Sequence, residues 1–129
     1  MIVKSPGGSI FPYYYKGGEI HCLKYGSFHS NSESLFSLMK AEEAFILGQH
    51  RRLAIWVDLY ETQLTREVML EFADNLIRLQ SRIRKLAIVG DYGNIHRLRR
   101  FLRKQDPKFT IPIQYYDDPE EAKTWLVMG

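Results

Sequence analysis

Carboxylate side chains occur where three predicted strands end, and these residues are the ones best suited to chemistry. Asp58, Asp91 and Asp117 each follow an apolar or aromatic run. Because parallel strands bring their carboxyl ends to one edge of a sheet, such side chains would share a ligand-binding crevice. Hard oxygen ligands of this kind suit Mg²⁺, which would permit a small metal-dependent hydrolase. Asp also ends strands and begins turns for local hydrogen-bonding reasons, and we favour that explanation.

No catalytic residue follows from the sequence, because nothing holds two of these carboxylates at a productive spacing. The candidates for binding a ligand or partner lie in two segments that follow predicted strands. They are Asp58, Tyr60, Thr62 and Thr65 in the first segment, and Asp91 and Tyr92 in the second. Aromatic rings near polar groups are typical of a small apolar pocket with a polar rim, although core packing is the more common role of such rings.

Metal and cofactor chemistry finds little support elsewhere in the chain. Cys22 is the single cysteine, which excludes an internal disulfide and a zinc site built from several cysteines. The four histidines show no metal-ligand spacing. Gly90–Asn94 lies between a predicted strand and helix but lacks both the G-x-G-x-x-G pattern and the P-loop lysine. We therefore predict no metal and no cofactor.

Positive charge is concentrated in one stretch of the chain. Residues 78–108 hold ten basic and two acidic side chains, a net charge of +8, so the total of +3 leaves −5 for the remainder. Arg97, Arg100, Arg103 and Lys104 lie on the polar side of a predicted helix and form a candidate basic patch, which we expect to include Arg82–Lys85. Such a patch suits a polyanion, but pairing with acidic groups of this molecule or of a partner is the favoured alternative.

The elements that position these residues begin with a hairpin. Aromatic residues favour a strand over Ile10–Tyr15, Lys16–Gly18 supplies a tight turn, and Glu19–Tyr25 forms the returning strand. Pro12 has no N–H to donate, which places the first strand at a sheet edge or gives it a bulge.

Strands and helices alternate after the hairpin. Ser30 and Glu33 match a capping box for a helix that runs to about Gly48. The remaining elements are a strand at Leu53–Val57, a helix capped by Thr65 with an apolar stripe through Ile83, a strand at Leu86–Gly90, a helix at Asn94–Lys104, a strand at Ile111–Tyr116 and a helix capped by Asp118. The order β-β-α-β-α-β-α-β-α predicts an α/β fold with a single mixed, mostly parallel sheet.

Three segments carry a family resemblance. They are the strand Leu53–Asp58, the strand and turn Lys85–Asp91, and the ending Tyr115–Leu126, in which an acidic Glu-Glu-Ala turn leads to Trp-Leu. In this order the chain resembles the STAS domain of anti-sigma-factor antagonists, and within it the small SpoIIAA-like proteins. The resemblance implies a non-catalytic regulatory module that acts through a protein partner. It also implies a small hydrophobic ligand, because SpoIIAA-like proteins resemble lipid carriers.

One departure from that family concerns regulation. Regulatory STAS domains carry a phosphorylatable serine or threonine, typically in an Asp-Ser-Ser-Gly stretch, where this chain reads Asp58 to Thr65 without serine or glycine. Thr62 and Thr65 could stand in, but acidic neighbours would repel a phosphate and Thr65 is needed as a helix cap. We therefore predict that neither threonine is phosphorylated.

Length and composition set the remaining expectations. The 129 residues, of which 45% are hydrophobic, suit one domain with a core that needs no disulfide. No apolar run is long enough to cross a bilayer and no signal peptide precedes the domain, so we expect a soluble cytoplasmic protein. A homodimer stays open.

Overall fold

A five-stranded sheet organises the computed structural model, which describes residues 1–105 and 108–128. Its strands are β3 (Tyr13–Tyr15), β4 (Gly18–Lys24), β5 (Leu53–Asp58), β6 (Ile83–Val89) and β7 (Ile113–Tyr116), in that spatial order. A separate antiparallel pair, β1 (Val3–Lys4) and β2 (Ile10–Phe11), precedes them. The helices are α1 (Ser32–Leu47), α2 (Arg66–Leu79), α3 (Tyr92–Arg103) and α4 (Pro119–Val127).

The predicted fold class is confirmed. β4 to β7 run parallel, and β3 is antiparallel to β4. Because the strands follow each other across the sheet in chain order, right-handed crossovers place α1, α2 and α3 on the same face. Their apolar stripes form the main core with residues of β4 to β6, among them the fully buried Val57 and Phe72. The opposite face is covered by α4 alone among the helices.

The first predicted strand is divided at Pro12. Ile10–Phe11 pairs with β1, and Tyr13–Tyr15 pairs with β4 as the edge strand of the large sheet. This division agrees with the edge position expected from the missing N–H of Pro12. Pro112 likewise precedes an edge strand, since β7 has β6 as its only neighbour in the described sheet.

Several predicted element boundaries are wrong. β6 begins at Ile83 rather than Leu86, and β7 begins at Ile113 rather than Ile111. Three helix boundaries also differ, each for a local reason. Asn31, rather than Ser30, caps α1, because the Asn31 side chain accepts from the Ser34 N–H. The α2 helix ends at Leu79 and a short 3₁₀ turn follows, so Ile83 begins β6 instead of ending the helix. Helix α3 begins at Tyr92, two residues earlier than predicted, because Asp91 is its cap.

Candidate ligand site

The α4 face of the sheet has small residues where the helix crosses it. Ala54 on β5, Ala87 on β6 and Ala122 on α4 are all buried there, which allows the helix to approach the sheet closely. Beyond α4, towards the carboxyl ends of β4 and β5, the side chains become larger and more polar. Cys22 and Trp56 are adjacent partners in the β4–β5 register and are only half-buried. This part of the face therefore needs cover from elsewhere in the chain.

The N-terminal segment supplies that cover. β3 pairs with β4 only as far as Ile20, which leaves the outer edge of β4 free beyond that point. Residues 1–11, here called the N-terminal ribbon, lie along this free edge. The Ser9 hydroxyl donates to the Cys22 carbonyl at 2.6 Å, and the Lys24 ammonium donates to the Gly8 carbonyl at 3.4 Å. The ribbon therefore lies against this half of β4 and is attached to it by hydrogen bonds from side chains.

A buried carboxylate on α1 attaches the ribbon to the layer of helices on the opposite face of the sheet from α4. Glu42 on α1 is 0% exposed, and its Oε2 accepts from the Ser5 hydroxyl at 2.7 Å and from the Gly7 N–H at 2.8 Å. Its Oε1 lies 3.1 Å from Nε2 of the buried His21. Since a buried carboxylate is tolerated only when hydrogen-bonded, this cluster fixes where the ribbon lies. We call Ser5, Gly7, His21 and Glu42 the latch.

Between the ribbon and α4, the α4 face carries a cavity of about 330 Å³ that is open to solvent on one side. Its walls combine an apolar and aromatic surface with three lysines and one carboxylate. The lining residues are Lys4, Gly8, Ser9, Ile10, Tyr13, Cys22, Lys24, Trp56, Asp58 and Lys123. A cavity of this size with an apolar wall and few charged groups is typical of a small-molecule site.

The charges of this cavity are only partly compensated. The Lys123 ammonium pairs with Glu120 at 3.0 Å and lies 5.9 Å from the centre of the Trp56 ring. Lys4 and Lys24 are exposed, and Asp58 is the cross-strand neighbour of Lys24. The lining therefore has an excess of positive charge beside an indole ring.

The surroundings of Cys22 in this cavity favour the protonated form of its thiol. Burial raises the pKa of its thiol to about 12, with the Asp58 carboxylate acting in the same direction. Because the thiolate is the reactive form, the group stays protonated and unreactive near neutral pH. This agrees with the structural role that is more common for a cysteine in a strand.

Two of the three strand-end carboxylates considered for catalysis, those of Asp58 and Asp91, have local structural roles. The Asp58 Oδ1 accepts from the Tyr60 N–H at 3.0 Å, and the Asp91 side chain accepts from Asn94 as the cap of α3. The Tyr60 hydroxyl donates to the carbonyl of Asp117. Over residues 1–105 and 108–128, no three acidic, histidine or cysteine side chains are grouped as a metal site would require.

The remaining candidate residues do not converge on the cavity. Partial burial, then the nearby Asp117 and Asp58, raise the pKa of the Tyr60 hydroxyl. Tyr92 is exposed at the start of α3 and stacks on His96 with 6.2 Å between ring centres. Of the six predicted binding residues, Asp58 alone lines the cavity.

The two threonines at the proposed phosphorylation position are both engaged. The Thr62 hydroxyl is buried, donates to the Tyr25 carbonyl at 2.6 Å and accepts from the Phe28 N–H at 3.2 Å. The Thr65 hydroxyl accepts from the Val68 N–H at 3.1 Å as the cap of α2, which is the role expected for it.

The basic patch does not extend as predicted. Lys85 lies on the α4 face, where its ammonium donates to the carbonyls of Trp125 and Met128 at 2.9 and 3.0 Å. The expectation that Arg82–Lys85 joins the α3 patch is therefore wrong for Lys85, because a register irregularity after Ile83 pairs Lys85 with Ala54 and places its side chain on the α4 face of the sheet. The patch residues proper, Arg97, Arg100, Arg103 and Lys104, are exposed along α3.

Sequence reasoning missed the cavity because the ribbon that walls it has no periodic pattern. Lys4, Ser9 and Ile10 belong to or adjoin strands of only two residues. The available signals were Trp56 in an otherwise aliphatic strand and Glu42 among the inward-facing positions of α1.

Within the described residues, no helix is long and apolar enough to span a bilayer.

Neither the curated proteins nor the solved structures contain a match to this chain. The model of the SpoIIAA-like family matches residues 29–127, which is more than half of the chain and includes everything from the start of α1 to the end of α4. The ribbon, β3 and β4 lie outside the matched range. The chain belongs to the SpoIIAA-like family of STAS domains.

Proposed function

We propose that this chain is a non-catalytic binding module whose cavity holds a small molecule with an apolar body and an anionic group, and that occupancy is relayed to a partner protein. The observation that carries the proposal is the cavity on the α4 face, where Trp56 lies among three lysines. Family membership supports a regulatory rather than a catalytic role.

The chemistry of the lining favours this class of ligand. Trp56, Tyr13 and Ile10 offer apolar and aromatic contacts that exclude water from a bound hydrocarbon or ring. Lys4 and Lys24 can reach a carboxylate, sulfate or phosphate at the mouth, where a flexible ammonium suits an anion of no fixed geometry. A neutral ligand would leave the excess of positive charge uncompensated.

The first experiment uses the fluorescence of Trp56. Trp125→Phe leaves Trp56 as the remaining tryptophan, and its emission is titrated with decanoate and with decanol as matched probes. We expect both to shift the emission and decanoate to bind more tightly at low salt, because the lysines attract its carboxylate. Failure of both probes to change the emission or to bind by calorimetry would contradict the proposal.

Two pairs of variants test the location. Cys22→Leu fills the cavity wall and should weaken both probes, whereas Cys22→Ala removes volume from the same position and should not. Lys24→Gln should reduce the preference for decanoate over decanol, whereas Lys16→Gln changes an exposed lysine outside the lining and should leave it unchanged. Equal effects within either pair would place binding elsewhere.

A further inference from the structure

The outer edge of β7 has no strand beside it in the described part of the chain. On its inner side, the Leu86 N–H donates to the Pro112 carbonyl at 3.0 Å and the Gly90 N–H donates to the Tyr116 carbonyl at 3.2 Å. Because backbone groups alternate in direction along a strand, Ile113 and Tyr115 present their N–H and C=O groups outwards. The edge therefore offers hydrogen-bonding groups to a further strand.

A groove of about 360 Å³ runs beside this edge on the α3 side of the sheet. Phe109, Ile111 and Ile113 give it an apolar floor, and Arg99, Arg103 and Lys108 supply three cations. The Arg99 guanidinium lies 5.7 Å from the centre of the Tyr115 ring, which holds it over the strand. Edge and groove together form a surface that is apolar along the strand and positive along the helix.

These cations have no acidic partner among residues 1–105 and 108–128. Every ion pair of the described chain involves other basic groups, namely His21, Arg51, Arg78 and Lys123. Arg99 and Arg103 are exposed on α3, and Lys108 is exposed in the loop before β7. None of the described residues supplies complementary charge to this surface, which leaves these cations accessible to an acidic partner.

We propose that the β7 edge binds an extended acidic segment of a partner protein, which adds to the sheet as a further strand. Main-chain hydrogen bonds to Ile113 and Tyr115 would align the segment. Alternate side chains of the added strand would lie on the α3 side, where aspartate or glutamate would meet Arg99, Arg103 and Lys108. This surface lies on the opposite face from the cavity, so the inference does not depend on the proposed ligand.

A peptide fits this surface better than a nucleic acid does. Asp117 and Asp118 are exposed and follow β7 directly, so a long polyanion running along the strand would meet repulsion at its end. A sugar–phosphate chain also has no alternating donors and acceptors to match the free groups of Ile113 and Tyr115. A segment of a few residues can use the cations and end before the two aspartates.

The test uses the full chain and a fluorescein-labelled peptide of about eight residues that alternates Glu with Val or Thr, the length of an ordinary strand. Binding is followed by fluorescence anisotropy. Two derivatives carry N-methyl groups on alternate residues, one on the odd and one on the even positions. Strand addition predicts that one derivative loses binding and the other keeps it, because only one set of N–H groups faces β7.

A protein variant tests the charges separately. Arg99→Gln combined with Arg103→Gln should weaken the peptide about tenfold or more at low salt, and Arg84→Gln, which changes an exposed arginine outside the groove, should leave the affinity unchanged. Circular dichroism establishes that each variant is folded. Equal binding of the two N-methyl peptides, no binding of the parent peptide, or tighter binding of a single-stranded oligonucleotide would each overturn the proposal.

Discussion

Hydroxyl groups at the carboxyl end of β5 hold the backbone in place rather than offering a regulatory acceptor. Thr62 bridges the Tyr25 carbonyl and the Phe28 N–H, and it is 3% exposed. A kinase needs an accessible, extended acceptor, and a phosphate at this position would have to displace two hydrogen bonds. Because the serine and glycine of the family motif are missing, the sequence predicts that this chain has no phosphorylation switch. The burial of Thr62 is an independent observation that supports this prediction.

The two threonines should therefore differ in their contribution to stability. Thr62→Val leaves a buried carbonyl and N–H without partners, and we expect it to lower the free energy of unfolding by about 1–3 kcal/mol. Thr65→Ala removes one exposed cap and should cost about 1 kcal/mol. Urea unfolding measures both changes.

Mass spectrometry of the protein from its native host should find no phosphate on either threonine. A stoichiometric phosphate on Thr62 or Thr65 would contradict this prediction and restore the phosphorylation switch of regulatory STAS domains.

At the scale of elements, the spacing of apolar residues correctly predicted which side of α2 is buried. Val68, Phe72, Leu76 and Leu79 recur on one side of α2 and are all buried, because a helix of this length must turn its apolar stripe to the sheet. The same spacing led to a wrong prediction for the end of α2. Ile83 lies four residues beyond Leu79, as the next residue of the helical stripe would, but it is buried as the first residue of β6. Burial alone does not distinguish the two structures.

The N-terminal ribbon could not be predicted because it is held by tertiary contacts. Its strands are two residues long, and the latch joins Ser5 and Gly7 to Glu42, which is more than thirty residues away in the chain. No local pattern encodes such a pairing. The cavity, which depends on the ribbon for a wall, was missed for the same reason.

The latch predicts what happens when its carboxylate is changed. Glu42→Ala leaves the Ser5 hydroxyl, the Gly7 N–H and His21 without an acceptor, and we expect a loss of about 3–5 kcal/mol, as for other broken buried pairs. Glu33→Ala is the matched control, because Glu33 is an exposed glutamate of the same helix and takes part in none of the ion pairs of the described residues.

Two measurements check this. Urea unfolding should show the larger loss for Glu42→Ala, and limited proteolysis should cleave the ribbon of that variant first, since a detached ribbon resembles an unfolded terminus. Equal stability and equal cleavage of the two variants would mean that the ribbon is held by other contacts.

For the whole molecule, two buried groups that must stay protonated, the Cys22 thiol and the Tyr25 hydroxyl, lower the stability of the fold at high pH. Burial raises the pKa of Cys22 to about 12 and raises that of Tyr25 well above its usual range. The unfolded chain releases these protons near their ordinary pKa values, while the folded chain keeps them. Stability contributed by the protonated groups is therefore complete below about pH 8.5, the ordinary pKa of a cysteine, and declines as the pH rises towards 12.

We expect the free energy of unfolding to fall by about 1.4 kcal/mol per pH unit for each such group within its window. Cys22→Ser removes one titrating group from the same position, so its urea midpoint should decline less steeply between pH 9 and the pKa of about 12 than that of the unchanged protein. Parallel declines would show that Cys22 titrates normally in the folded state.

The arrangement of the crossover helices has a consequence for how such a protein can change over generations. Residues that secure folding are concentrated between the sheet and α1 to α3, whereas the cavity lies on the other face, behind α4 and the ribbon. Under the proposed function, substitutions at Lys4, Lys24 or Trp56 would change the ligand of the cavity without opening a hole in the main core. Descendants of one such chain would then acquire new ligands by drift on that face while selection for folding acts on the other.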